Sequence, residues 1–167
     1  MQPGMPSSRH KEATNLQSEA VGTIDVGIVQ TETEIRECLN IRHVVFVTEQ
    51  RLFPDTDRDD HDDTAIHIAA VADDRIIGTV RCYERRPGLW YGGRLAVLEE
   101  HRTGRVGTLL VQKAVQTMRE KPEVNRFLAT IQIQNVRFFE KLGWWSLGRP
   151  RLLNGKKHQL MEIGVSS

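Results

Sequence analysis

The sequence predicts a mixed α/β fold, with a mostly antiparallel sheet flanked by helices. Three observations carry that expectation. Short apolar and β-branched runs recur along the chain between tight turn dipeptides such as Asp73-Asp74 and Asn154-Gly155. Two longer stretches keep their apolar residues to one side at helical spacing. In chain order the elements read β-α-β-β-β-α-β-α-β-β, which implies a mixed sheet covered by helices.

Val21 to Gln30 reads as the first strand. Thr31, with Glu34 three residues later, is a capping-box signature that opens a helix, and Ile35, Cys38, Leu39, Val45 and Phe46 share its apolar face. Arg51 to Thr64, RLFPDTDRDDHDDT, has a proline and no periodicity and reads as an acidic loop. Ala65 to Ala72 and Arg75 to Tyr83 form a hairpin about Asp73-Asp74, and Arg85 to Gly88 turns the chain into a strand from Trp90 to Leu98. A helix from about Arg105 to Lys121 aligns Val106, Leu109, Leu110, Ala114 and Met118, and Pro122 stops it. Phe127 to Ile133 is a strand, Asn135 to Leu142 a short helix, and Gly143 its C-cap. Trp144 to Leu153 and Lys156 to Val165 close the chain as a hairpin around Asn154-Gly155.

A chain of 167 residues suits one domain with a substantial core. Twenty-three Lys and Arg nearly cancel 22 Asp and Glu, so bulk charge draws it toward no nucleic acid. No apolar run reaches bilayer length, so no membrane association is expected. Residues 1–20 are polar, lack the apolar core of a signal peptide and read as a disordered lead, leaving 21–167 as the domain. Cys38 and Cys82 show no metal-ligand spacing and read as packed thiols of a cytoplasmic protein.

The most informative stretch is Arg94 to Leu110, RLAVLEEHRTGRVGTLL. An apolar strand ends at Leu98, a short charged turn carries Arg102, Gly104 and Gly107, and a helix begins. Free N–H groups at such a helix start suit a pyrophosphate, and small residues let it approach. The segment resembles the acetyl-CoA-binding motif of the GCN5-related N-acetyltransferases (GNAT), [RQ]-x-x-G-x-[GA] after a strand. Aligned on Arg102 and Gly107, the first motif glycine falls on Arg105, with Gly104 one residue early. A side chain there either crowds the phosphates or binds them through its guanidinium. The resemblance implies acetyl-CoA as co-substrate, with Ala96, Val97 and Leu98 offering backbone hydrogen bonds to its pantetheine arm. It implies a phosphate seat of Arg102, Thr103, Gly104, Arg105, Val106, Gly107 and Thr108. The order of elements over roughly residues 21–165 is also the GNAT order.

Asp55, Asp57 and Asp59 have the spacing of a calcium loop, but Asp60 stands where such loops need glycine and Ile66 where they need a bidentate Glu. No metal is therefore expected. The run R-x-x-V-F-V-x-E-Q, then D-x-x-D, then a strand with an early histidine resembles the ElaA-like GNAT branch and, more distantly, acyl-homoserine-lactone synthases. In that resemblance Arg42, Glu49, Asp57, Asp60 and His67 line the acceptor side, with carboxylates holding an ammonium group before it loses a proton. The competing reading is a solvated loop and a hydrogen-bonded core histidine.

Strand alternation puts Arg81 and Tyr83 on one face, with Arg81 counted among the acceptor contacts. Tyr91 and Arg94 lie on opposite faces unless the strand is bulged, which Gly92-Gly93 invites. Many GNAT enzymes have a glutamate base where this chain has Tyr91. In QNVRFFEKLGW, residues 134–144, Phe139 stands where the family commonly has a tyrosine acid. Phe138 and Asn135 are the expected cofactor contacts there, although Asn135 also fits an N-cap. Candidate proton acceptors are His67 and Asp60, with Tyr91 as a relay.

The chain looks closest to a small bacterial GNAT branch, found beside nitrilase genes, that carries VFVTEQ, DDHDDTA and GxWYGGRLAV-type segments. The implied activity is acetyl transfer from acetyl-CoA to a small amine by direct attack. The alternatives are an acyl-CoA sensor without turnover and a transferase for longer acyl chains. A homodimer is a further expectation from the family.

Overall fold

A computed structural model describes residues 23–166. The expected lead at residues 1–20, and the opening of the first expected strand, lie outside the described residues. Seven strands form one sheet: β1 (Asp25–Ile28), β2 (Ile66–Ala72), β3 (Arg75–Arg86), β4 (Leu89–Val97), β5 (Arg126–Gln132), β6 (Trp145–Leu153) and β7 (Lys156–Ile163). Their spatial order is β1-β2-β3-β4-β5-β7-β6. Every neighbouring pair is antiparallel except β4 and β5. That parallel pair needs a crossover, and the helix α2 (Val106–Arg119) supplies it. The fold is the expected one.

The hairpin turns form where the sequence placed them. Asp73 and Asp74 both take positive φ, as do Asn154 and Gly155, the backbone a two-residue hairpin turn demands. β3 runs three residues beyond the expected Tyr83, because Pro87 and Gly88 make the turn rather than Arg85. At the N-terminus of α1 (Glu32–Arg42) the capping box is complete, with Thr31 Oγ1 accepting from the Glu34 amide at 3.2 Å. The same apolar stripe continues past Arg42, but His43–Glu49 winds as a π-helix. The Gln50 amide reaches back five residues to the Val45 carbonyl at 3.0 Å.

Two sets of buried side chains lie on opposite faces of the sheet. Ile68, Val80, Cys82, Phe127, Ala129 and Met161 pack against Val106, Leu110, Ala114 and Met118 of α2. The other face carries Ile41, Val45 and Phe46 from α1 and the π-helix over Ala96. α2 lies close on its face: a Cβ on Gly78 would sit 3.0 Å from both Val106 and Leu110. A side chain at residue 78 would require Val106 and Leu110 to give by a few tenths of an ångström. No helix among the described residues is long and apolar enough to cross a membrane.

Candidate active site

The site begins with a break in the sheet. β4 pairs with β3 on one edge, and with β5 on the other only from Leu89↔Arg126 to Gly92↔Ala129. Beyond that point β4 and β5 part. A bulge sits at the parting: Arg81 faces Gly93 and Thr79 faces Ala96, so Arg94 and Leu95 share the space opposite Val80. The bulge falls one residue past the expected Gly92-Gly93, and Arg94 itself takes φ 54°. The Leu98 amide is spent on the Ile77 carbonyl at 2.9 Å. Alternation then turns the Val97 peptide groups to the opposite, unpaired edge. Arg102 Nε donates to the Val97 carbonyl there at 2.8 Å, leaving the Val97 N–H on the open edge.

From Val97 the chain passes through one 3-10 turn (Glu99–His101) and four exposed residues, Arg102 to Arg105, into α2. Arg102 ion-pairs with Glu49 at the end of the π-helix, which ties the loop to the far wall. No side chain caps the start of α2, where Arg105 holds the cap position. The first helical amides are therefore free donors at the positive end of the helix dipole. Gly107 has no conformational need to be glycine, and a Cβ there would meet only Phe138, at 3.7 Å. Glycine in a helix costs about 1 kcal/mol relative to alanine, with no return here inside the chain. Packing within the chain therefore does not explain the small residue at 107.

Where β4 and β5 diverge lies a cleft of about 120 Å³. Phe46, Leu52 and Phe53 form its apolar wall, and Gly93, Arg94 and Leu95 contribute the bulge. Thr130 to Gln132, Asn135, Phe139 and His158 close the other side. Asn135 occupies the cap position of α3 (Val136–Lys141), but its side chain makes no capping bond, which leaves the amide for the cleft. Gln132 donates to Gln50 at 3.0 Å and bridges the two walls. His158 is a residue that sequence reasoning missed. Its Nδ1 lies 2.9 Å from the Lys156 carbonyl, which can only accept, so Nδ1 carries the proton. In the neutral ring Nε2 is then a bare acceptor. Only its position opposite Gln132 in β7 identifies it, and sequence alone does not reveal that register.

The acidic loop is built differently from the expectation. Arg42 and Asp57, each 1 % exposed, meet at 2.7 Å, and Arg42 also grips Asp62 through both terminal nitrogens at 2.7 and 2.9 Å. Arg81 holds Asp59 through two bonds at 2.6 and 2.8 Å and reaches Asp62 at 2.8 Å. Burial pushes the Asp62 carboxyl up, but hydrogen bonds and charge from Arg42 and Arg81 hold it well below the usual carboxylate range. Asp59 is lowered too, with Arg81 outweighing its burial. Arg42, Asp57 and Arg81, expected at the acceptor, are thus buried in a charge cluster that clamps the loop to the sheet. The cluster also occupies two of the three carboxylates with calcium-loop spacing.

None of Tyr91, His67 and Asp60 lines the cleft. His67 is buried, with Nε2 3.1 Å from the Asp62 carbonyl, and its Nδ1 has no partner. Asp60 is exposed at the start of a 3-10 turn, Asp60–Asp63. Tyr91 is half-buried in an aromatic stack, 6.1 Å from Tyr83, with the Arg85 guanidinium over its ring. Of the expected cofactor contacts, Ala96 and Val97 lie on β4 beyond its last pairing with β5 and Leu98 follows them, Asn135 lines the cleft, and a Cβ on Gly107 would stand 3.7 Å from Phe138.

The family model for the GNAT acetyltransferases matches residues 30–144. Among curated proteins, the chain is similar to the uncharacterized N-acetyltransferase YjcF of Bacillus subtilis, 25 % identical over 127 residues that cover 76 % of this chain and 89 % of that one. Among solved structures, Escherichia coli ElaA superposes with a TM-score of 0.76 at 21 % identity, over 84 % of this chain and 99 % of that one. The acyl-homoserine lactone synthase BjaI, solved with SAM and isopentyl-CoA, gives 0.69 at 17 % identity over 86 % and 84 %. A GNAT enzyme of Elizabethkingia anophelis, solved with acetyl-CoA, gives 0.65 at 13 % over 84 % and 97 %. With parted strands, an uncapped helix start and a family match over most of its length, the chain belongs to the GNAT acetyltransferase family.

Proposed function

We propose that this protein transfers an acetyl group from acetyl-CoA to a small amine by direct attack. The carrying observation is the opening between β4 and β5 beyond Gly92 and Ala129, which leads into the uncapped start of α2. The pyrophosphate would rest on the amides of residues 105–108, with Arg105 contributing charge where the family motif has glycine. The pantetheine arm would lie along the free edge of β4, bonded by Val97 and by Asn135. In this position the Val97 N–H faces the thioester oxygen and stabilises the charge that develops on it. The amine nitrogen bonds to the carbonyl carbon, the C–S bond breaks, and the thiolate leaves, taking up a proton from water. His158 Nε2 accepts the proton that the amine gives up. This supplies the proton acceptor that a non-catalytic acyl-CoA sensor would not need.

A short acyl group fits better than a long one. Beneath Gly92 and Gly93, Phe139 and Trp144 leave an apolar space of only about 20 Å³. Longer chains would have to displace these rings. The test is calorimetric titration with acetyl-CoA and with free CoA, on the native chain and on Gly107→Trp. Saturable binding that the substitution abolishes, with the circular dichroism unchanged, is the expected result. Equal affinity in both proteins would remove the donor from this place.

A further inference from the structure

The cleft between the parted strands has one formally charged lining residue, Arg94, and no carboxylate. Arg94 stands in the left-handed region at φ 54°, although Gly93, which would take that conformation freely, lies next to it with open space where a Cβ would be. The bulge thus places an arginine at a position where glycine would be easier. Non-glycine residues held in this conformation cluster where the strain serves a site.

The guanidinium is oriented before any ligand arrives. Its Nε and Nη2 donate to the Asp57 carbonyl at 3.1 and 2.9 Å, and its plane lies over Phe53, 4.7 Å from the ring centre. Nη1 donates to no group among the described residues, and the side chain is 23 % exposed. It is the most loosely paired arginine of a cluster in which Arg42, Arg81 and Arg94 face Asp57, Asp59 and Asp62. Asp57 is committed to Arg42 at 2.7 Å and Asp59 to Arg81 at 2.6 Å, and Arg94 receives 3.2 and 3.5 Å contacts from the same two carboxylates. Burial, and then the charges of Arg81 and Arg42, make the protonated form of Arg94 harder to hold than usual. An anion entering the cleft would give Arg94 the close partner that its two long contacts do not supply.

We infer that the acceptor is an amine that also carries a carboxylate or similar anion, gripped by the free side of the Arg94 guanidinium while its nitrogen faces the thioester. This rests on the proposed acetyl transfer and supplies its substrate class. It reverses the expectation that Glu49, Asp57 and Asp60 hold the acceptor's ammonium: Asp57 is committed to Arg42, Glu49 pairs with Arg102, and Asp60 does not line the cleft.

The test uses the whole protein with acetyl-CoA and a thiol-release readout. Leucine, phenylalanine and methionine are each compared with their decarboxylated amine, and aminoethylphosphonate is included as a different anion. At least a tenfold higher kcat/KM for the carboxylated members is expected. Arg94→Gln should bring that ratio close to one through KM, and Arg94→Lys should restore part of it. If Arg94→Gln does not fold, the native panel decides alone. Equal or better turnover of the decarboxylated amines, or no turnover of any anionic amine by a protein that binds acetyl-CoA, would overturn the inference and leave the donor reading intact. Absence of acetyl-CoA binding by calorimetry would overturn both.

Discussion

His158 is a single side chain whose chemistry is fixed by one backbone carbonyl. Because Nδ1–H donates to the Lys156 carbonyl at 2.9 Å, the ring cannot turn its protonated nitrogen into the cleft without losing that bond. A positioned base typically contributes about 10²–10⁴-fold. His158→Gln should therefore lower kcat at least about 100-fold while the affinity for CoA stays unchanged. Added imidazole should return part of the rate to His158→Ala, and an unaltered kcat in both variants would exclude His158 as the proton acceptor. No signal in the sequence marks this histidine. It sits in a largely polar strand beside a lysine pair, and only the β5–β7 register places it across from Gln132. His67 shows the opposite case. It lies near the start of an expected strand and was a candidate base with a hydrogen-bonded core histidine as the competing reading, and it is buried against the Asp62 carbonyl.

In the loop between the π-helix and β2, Leu52 and Phe53 pack on the apolar face while the stretch from Asp57 to Asp62 is held by charge. Removing one member of a buried ion pair leaves its partner uncompensated at about 3–5 kcal/mol. Asp62→Asn is expected to cost about 3 kcal/mol in urea denaturation at neutral pH, because Asp62 serves both Arg42 and Arg81. The acid response follows from the same pairs. Asp59 and Asp62 hold their protons less tightly when folded than when unfolded, so the folded state binds fewer protons. Their contribution is complete above the unfolded value near ~4 and is lost as pH falls through the lower folded values. Stability should drop below about pH 4, and Asp62→Asn should flatten that fall. A slope identical to the native one would show that other carboxylates govern the acid limb. The strands, both main helices and the two hairpin turns were legible because each follows a local rule: alternation, a capping box, a turn dipeptide. The pairing of aspartates with Arg42 and Arg81 was not, since partners 15 to 22 residues apart meet only through the tertiary fold. Nor was the π-helix, whose apolar spacing suits either winding over two turns.

At the scale of the whole molecule, both cysteines lie inside. Cys38 and Cys82 are unpaired and buried, and burial pushes the Cys82 thiol up to about 12. The thiolate is the reactive form, so a disulfide reagent should modify neither residue in the native state within minutes, and both once urea unfolds the chain. Rapid stoichiometric labelling of the folded protein would contradict this burial. The parting of β4 from β5 has a wider consequence. A sheet normally exposes its unpaired amides and carbonyls only at its two outer strands, and natural proteins blunt those rims against adhesion to other chains. This sheet has a second pair of rims in its interior, kept open by the bulge at Arg94. In the proposed donor site the pantetheine arm, with two amide groups, would fill such a gap in the manner of a short strand. The cellular CoA pool would then act as a small-molecule chaperone for this chain, masking a seam that would otherwise recruit the extended segments of its neighbours.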